Sequence, residues 1–294
     1  MSVSPPTVLL TGSSGLVASH FVELFTTKYQ FEKLDISNPS HPVDITNGEQ
    51  LFSAVANSKA EFLVHFAAFT DVTKAWEETN NRSGLCYRVN VDGTKNIVEA
   101  CEKSGKHLIH ISTAYVFDGE NPNPYTESDQ PHPIEWYGQT KWEAEQLVSA
   151  AQCPWTILRI DQPFGSLAHA KKDVLHKLVD KMKTNTLPSQ FTNHTFGPTF
   201  IDDFTKVIDW AIRTKTTGLF HASSGEQWTD FEFAQKVKEV HQLSGQINPG
   251  DLNQYLKTTD RPYQKNTALD CSKLVQKLDF SLRSINQAIQ LCLT

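Results

Sequence analysis

The chain offers little to cross-link it. Its five cysteines, Cys86, Cys101, Cys153, Cys271 and Cys292, are odd in number and widely spaced, and no C-x-x-C pair occurs. That pattern excludes a disulfide framework and a cysteine-based zinc site, and it suits buried thiols in a reducing compartment. Long apolar runs are absent too. Nothing approaches the roughly 20 apolar residues of a membrane-crossing helix, and residues 1–6 carry no apolar signal-peptide core. Runs of Lys or Arg are missing, and the 27 basic and 33 acidic residues leave a net charge of -6. Such a balance argues against a nucleic-acid partner. The eleven histidines form no H-x-x-x-H pair, so no metal site is expected. These absences predict a soluble, cytoplasmic protein with no membrane partner.

What is present is an alternation. Short apolar runs at 7–11, 32–36, 62–67, 107–112 and 155–160 read as buried strands. Helical periodicity fills 48–57, 82–104 and 134–151, and a helix begins near Gly15. In the long helix, Val89, Gly93, Ile97 and Cys101 share one face. Strands alternating with helices of ten or more residues imply an α/β fold with repeated βαβ units and a doubly wound, Rossmann-type parallel sheet. Beyond Phe164 the pattern loosens. An amphipathic stretch covers 169–183 and a polar loop 187–197. A helix follows at 202–213, a strand at 218–222 and a helix at 230–242, before a largely irregular 245–270. The expected organisation is a dinucleotide-binding domain over 1–165, with 198–223 returning to it. A smaller C-terminal substrate-binding region would comprise 166–197 and 224–294.

The first strand runs into Gly12, Gly15 and Ala18, in the pattern G-x-x-G-x-x-A on a strand–turn–helix. A phosphate-binding turn needs small residues there, because a bulky side chain would keep a pyrophosphate from the backbone N–H groups and the helix N-terminus. Asp35 follows Gly15 by 20 residues, at the end of the second strand. A carboxylate at that place accepts hydrogen bonds from the adenosine ribose and repels a 2′-phosphate. NAD(H) is therefore favoured, with NADP(H) still admitted. Asp44, followed by Ile45, is a second candidate contact on the adenine side.

Tyr137 and Lys141 form Y-x-x-x-K within a helical segment, and i,i+4 spacing puts both on one face. A nearby ammonium favours the phenolate, so the phenol can exchange a proton with a carbonyl or alcohol while a cofactor moves a hydride. Thr113, ending the preceding strand 24 residues upstream, can hold the substrate oxygen. His65 ends a buried strand and reads as a hydrogen-bonded core histidine. Asp202 and Asp203 read as carboxylates at a helix N-terminus.

Several runs together give the chain its resemblance: HFAAFTDV from His65, STAYVFDG from Ser112, YGQTK from Tyr137, PTFIDD from Pro198, FHASSG from Phe220, Arg261 with Pro262, and LDCSKL from Leu269. From about Thr7 to about Phe280 the chain resembles an extended short-chain dehydrogenase/reductase. Within that group it is most similar to dTDP-4-dehydrorhamnose reductases and the related regulatory β subunit of methionine adenosyltransferase. The resemblance implies that Gly12, Ser14, Gly15 and Leu16 line the pyrophosphate, with Ala67, Ala68 and Thr70 near the cofactor. It aligns Asn90 with the Asn of the N-V-x-G-T segment, as a further residue of the cofactor site, and makes Thr113, Tyr137 and Lys141 the catalytic triad, with Lys141 also reaching the nicotinamide ribose. It places Ala114 near the substrate and Arg261 against the nucleotide part of a sugar nucleotide, and it implies a homodimer.

Two positions depart from the rhamnose reductases. Ala114 stands where they carry Asp, and residues 159–165 lack their Trp. Ala114 and Tyr115 also replace the Asp–Glu pair of sugar 4,6-dehydratases, which reads against dehydration. The expected activity is reduction of a 4-keto sugar nucleotide. The alternatives are an NAD-dependent epimerase using the same triad, and a regulatory subunit that binds a dinucleotide without turnover.

Overall fold

The computed structural model of the chain describes residues 5–167 and 172–292. The first half follows the expected alternation: β1 (Thr7–Thr11), α1 (Leu16–Phe25), β2 (Gln30–Leu34), α2 (Gly48–Asn57), β3 (Phe62–His65), α3 (Val72–Glu77), α4 (Leu85–Tyr87), a π-helical turn (Arg88–Asp92), α5 (Gly93–Ser104), β4 (His107–Thr113), α6 (Trp136–Ser149) and β5 (Trp155–Ile160). The remainder holds β6 (Pro163–Phe164), α7 (Val174–Lys183), β7 (Gln190–Phe191), β8 (Thr195–Phe196), β9 (Thr199–Phe200), α8 (Ile201–Thr214), β10 (Gly218–His221), β11 (Trp228–Thr229) and α9 (Asp230–Val240).

Six strands form one sheet in the order β10-β5-β4-β3-β1-β2. The pairs β1–β2, β1–β3 and β3–β4 are parallel, with Leu9 opposite Glu32 and Leu63, and Leu63 opposite Leu108. From β1 the chain steps outward to β2 and then returns through β3, β4 and β5. The winding therefore reverses at β1, and in open α/β sheets ligands bind at the carboxyl ends of the strands at such a reversal. This is the doubly wound, Rossmann-type sheet that the alternation implied.

By its contacts the chain divides into two compact units. The first comprises 1–113, 135–158 and 208–219, and the second 114–134, 159–207 and 220–294. The second unit takes in 114–134 and 159–207 together with the C-terminal segment. In the first unit, Leu9, Leu63, Leu108 and Ile157 of the central strands pack with Leu51 and Val55 of α2, Ile97 and Cys101 of α5, and Val148 of α6. In the second, Phe164, Phe196, Phe200 and Phe233 pack with Leu175, Val179 and Val237. All five cysteines are buried and free. Among the described residues, no helix is long and apolar enough to cross a membrane.

Several boundaries differ from the sequence reading. The second strand ends at Leu34, and Ile36 is 69 % exposed beyond it. The helix expected over 82–104 starts only at Leu85, where the Glu78 carboxylate accepts the Cys86 N–H at 2.8 Å. It then widens into the π turn at 88–92. Of its expected apolar face, Gly93, Ile97 and Cys101 are buried, and Val89 is partly so. A Cβ at Gly93 would lie 2.6 Å from Ile45 Cδ1, so the Ile45 side chain would have to shift to admit one. The amphipathic stretch at 169–183 begins outside the described residues, and its helix runs from Val174 behind an Asp173 cap. The polar loop at 187–197 carries two short strands, β7 and β8, each completed by a distant partner.

Candidate functional site

The turn after β1 is built on Gly12, which adopts φ +62°. A Cβ at Gly12 would sit 2.6 Å from both the backbone N and Cα of Ala67. Both the left-handed backbone and the approach of the loop after β3 therefore demand glycine. Gly15 precedes α1 in an extended conformation, and its N–H closes the turn on Gly12 O at 3.0 Å. Gly15, the N-cap of α1, has no side chain with which to cap the first turn. The helix N-terminus at Leu16 thus presents amide donors and partial positive charge at the mouth of a cradle with no Cβ. That geometry fits a pyrophosphate.

Asp35 lies just past β2 and is 5 % exposed. One carboxylate oxygen accepts the Ser14 N–H at 2.7 Å, and the other accepts the Ser37 N–H and hydroxyl at 2.8 and 2.7 Å. Burial alone would raise its pKa, but these donors from Ser14 and Ser37 outweigh it and hold the carboxyl below the usual range. The charge is thus fixed beside the glycine turn. The sequence offered no sign of Ser37 as its partner. Asp44 turns inward on its own loop, accepting the Thr46 N–H and hydroxyl at 2.8 Å each. Ile45 is buried against Gly93, and its carbonyl accepts Asn96 Nδ2 at 2.9 Å.

Beyond β3, the Ala67 N–H reaches Thr11 Oγ1 at 3.3 Å. Ala67 and Ala68 are half-buried, and Thr70 is exposed. Asn90 is 1 % exposed, and its amide is engaged by the protein itself. Oδ1 accepts the Phe69 N–H at 2.8 Å, while Nδ2 donates to Phe69 O at 3.2 Å and to Thr140 Oγ1 at 3.0 Å. Through these bonds Asn90 ties the Ala67–Thr70 loop to α6.

Thr113 closes β4, and Tyr137 and Lys141 occupy successive turns of α6, which packs on β4. All three are buried. Lys141 Nζ donates to Ile111 O at 2.8 Å and faces His110 Nε2 at 3.3 Å. Burial pulls its pKa down to about 8, against the opposing pull of Glu145 and Cys86. His110 was not singled out from sequence, because it alternates within β4 like any core residue. His65 is the hydrogen-bonded core histidine expected, set between Thr11 Oγ1 at 2.7 Å and Thr94 Oγ1 at 3.1 Å.

Of the three candidate substrate residues, Thr113 belongs to the first unit, and Ala114 and Arg261 belong to the second. Ala114 opens a buried 3-10 turn, Ala114–Val116, and its carbonyl accepts the Phe117 N–H at 3.1 Å. The Arg261 guanidinium lies 4.5 Å from the Tyr263 ring centre, with Nη1 donating to the Tyr263 hydroxyl at 3.4 Å. Asp202 and Asp203 lie in the first turn of α8, as expected. Asp202 accepts the Ser166 N–H at 3.0 Å, and Asp203 accepts the Arg283 N–H at 2.7 Å.

A family model described as the RmlD substrate binding domain matches residues 6–294. A dTDP-4-dehydrorhamnose reductase of Aggregatibacter actinomycetemcomitans is 29 % identical over 287 residues, 92 % of each chain. Methionine adenosyltransferase 2 subunit beta of Mus musculus is 28 % identical over 297 residues, covering 91 % of this chain and 81 % of the relative. Among solved structures, a Bacillus anthracis dTDP-4-dehydrorhamnose reductase in complex with NADP superposes with a TM-score of 0.86 at 26 % identity, over 97 % of this chain and 98 % of that one.

Proposed function

Because the chain belongs to the RmlD substrate-binding-domain family of extended short-chain dehydrogenases/reductases, we propose that it is an NAD(P)-dependent reductase of a 4-keto sugar nucleotide. The observation that carries this reading is the buried Lys141 on the same face of α6 as Tyr137, beside the β4 strand that Thr113 ends.

The dinucleotide would be held by the Gly12–Gly15 turn and the N-terminus of α1, with Ala67 and Ala68 along its flank. When bound, it supplies the hydride. Tyr137 gives its hydroxyl proton to the carbonyl oxygen as that oxygen gains negative charge. The Thr113 hydroxyl orients the same oxygen. Lys141 would hold the nicotinamide ribose, and its charge would favour the phenolate left on Tyr137. The buried charge of Asp35 beside the turn favours NAD(H), and NADP(H) is the second choice. Arg261, stacked on Tyr263, is suited to the nucleotide part of the substrate. The test is a screen of keto-sugar nucleotides with NADH and NADPH, following loss of the reduced cofactor.

A second reading is favoured by the mouse relative, which is a methionine adenosyltransferase subunit. In that reading the site binds a dinucleotide and regulates a partner. Tight NAD(H) binding with no turnover across a broad screen selects it over the reductase.

A further inference from the structure

We propose that His110 is the positioning residue for Lys141, its neutral imidazole accepting a hydrogen bond from the ammonium and keeping that cation charged and in place on α6. An ammonium only donates, so Nε2 of His110, 3.3 Å from Lys141 Nζ, must present its lone pair. Its proton then sits on Nδ1.

The neighbouring groups support this assignment. The Thr94 hydroxyl donates to Asn90 O at 2.6 Å, so it accepts from Nε2–H of His65. Nδ1 of His65 then accepts the Thr11 hydroxyl at 2.7 Å, while Thr11 Oγ1 accepts the Ala67 N–H. His65 is thereby locked as a neutral ring, and it packs against His110 with 5.2 Å between ring centres. Burial first, then Lys141 and His65, push His110 well below the usual histidine range. Burial and Lys141 likewise take His65 down to about 3. Neither ring competes with Lys141 for positive charge.

The arrangement has a cost that a packing role alone would not carry. Nδ1 of His110 is buried and finds no hydrogen-bond partner among the described residues. A buried unsatisfied donor is expensive, and an apolar side chain would fill the same place without it. The lone pair aimed at Lys141 is what the imidazole adds. The other groups acting on the ammonium are Glu145 one turn further along α6, Cys86 from α4, His65 from β3 and the Ile111 carbonyl from β4. With burial already lowering Lys141 to about 8, loss of an acceptor moves its titration into the neutral range.

The inference rests on the role given to Lys141 above, so its test is chosen to separate the two. The Lys141 side chain is titrated by NMR in the full chain labelled with 15N-lysine, its signal identified by its loss in Lys141→Met. The wild-type midpoint is expected near 8. In His110→Asn, whose amide reaches only where Nδ1 sits, and in His110→Leu, it should fall by roughly one pH unit. His110→Gln places an amide oxygen where Nε2 sits and should recover most of that shift. Thermal unfolding shows which variants are folded, and His110→Asn decides if His110→Leu is not. For a turned-over keto-sugar nucleotide, the alkaline limb of kcat should move with the midpoint while KM stays. Equal midpoints in wild type and the folded His110→Asn overturn the inference, whatever the turnover. A shifted midpoint in a protein that turns over nothing upholds the coupling and counts against the reductase reading instead.

Discussion

Asp35 accepts the backbone N–H of Ser14 at 2.7 Å, so the carboxylate after β2 is tied directly into the glycine turn after β1. It thus shapes the turn as well as charging it. Asp35→Ala should weaken NAD(H) binding by about tenfold or more, the scale of a lost charge-assisted hydrogen bond. NADP(H) should suffer less, because repulsion of a 2′-phosphate is lost as well. The variant should also be less stable at neutral pH. Since the folded carboxyl titrates below its ordinary value of 3.8, its contribution is present above that value and is lost as pH falls through the lower folded one. Calorimetry with both cofactors, and unfolding at pH 7 and below pH 4, check this. An unchanged cofactor ratio removes Asp35 from that role.

Gly12→Ala tests the cradle. At φ +62°, with the Ala67 backbone 2.6 Å from the added Cβ, the substitution combines strain with overlap against atoms that cannot swing away. It should cost about 2–4 kcal/mol of stability and abolish cofactor binding in the protein that remains folded. Chemical denaturation and cofactor titration measure the two effects. Full-strength binding in this variant would place the pyrophosphate elsewhere.

Tyr137→Phe removes the proton donor and leaves α6 in place. Turnover of the substrate found by screening should fall by roughly two to four orders of magnitude, with cofactor affinity nearly intact. Lys141→Met should behave differently, weakening the cofactor as well and removing the rate loss near pH 8 that follows from Lys141 deprotonation. Stopped-flow rates across pH and a binding isotherm on each variant distinguish the two. A Tyr137→Phe protein with wild-type turnover needs another acid.

Asp161 provides a stability test in the second unit. It accepts the Thr267 hydroxyl at 2.6 Å and the Gly197 N–H at 2.9 Å through one oxygen, while the other is buried with no hydrogen-bond partner among the described residues. Burial, only partly offset by those bonds, raises its pKa to about 7. A carboxyl raised in the folded state stabilises below its unfolded pKa, and that stability is lost as pH rises towards 7. Asp161→Asn mimics the protonated form at every pH. Relative to wild type it should therefore gain of the order of 2 kcal/mol between pH 5 and pH 8. Denaturant curves at both values read this directly, and parallel curves would mean that Asp161 is ionised throughout.

The sequence by itself determined what local pattern can encode. The spans of β1, α2 and β5 follow from short apolar runs or helical periodicity. The glycine turn and the i,i+4 pairing of Tyr137 with Lys141 are local for the same reason. Only the tertiary structure decided which groups those residues meet. It brought Phe69 and Thr140 to the amide of Asn90, Ser14 to Asp35, His110 to Lys141 and Tyr263 to Arg261. It opened the π turn at 88–92 in a helix whose periodicity showed no break, and it grouped 114–134 with the C-terminal half of the chain. Periodicity records which side of an element is buried. It does not record the partner, because a hydrogen bond across 50 residues, such as that of Asn90 to Thr140, exists only after parallel strands and their crossovers have closed the loop between them.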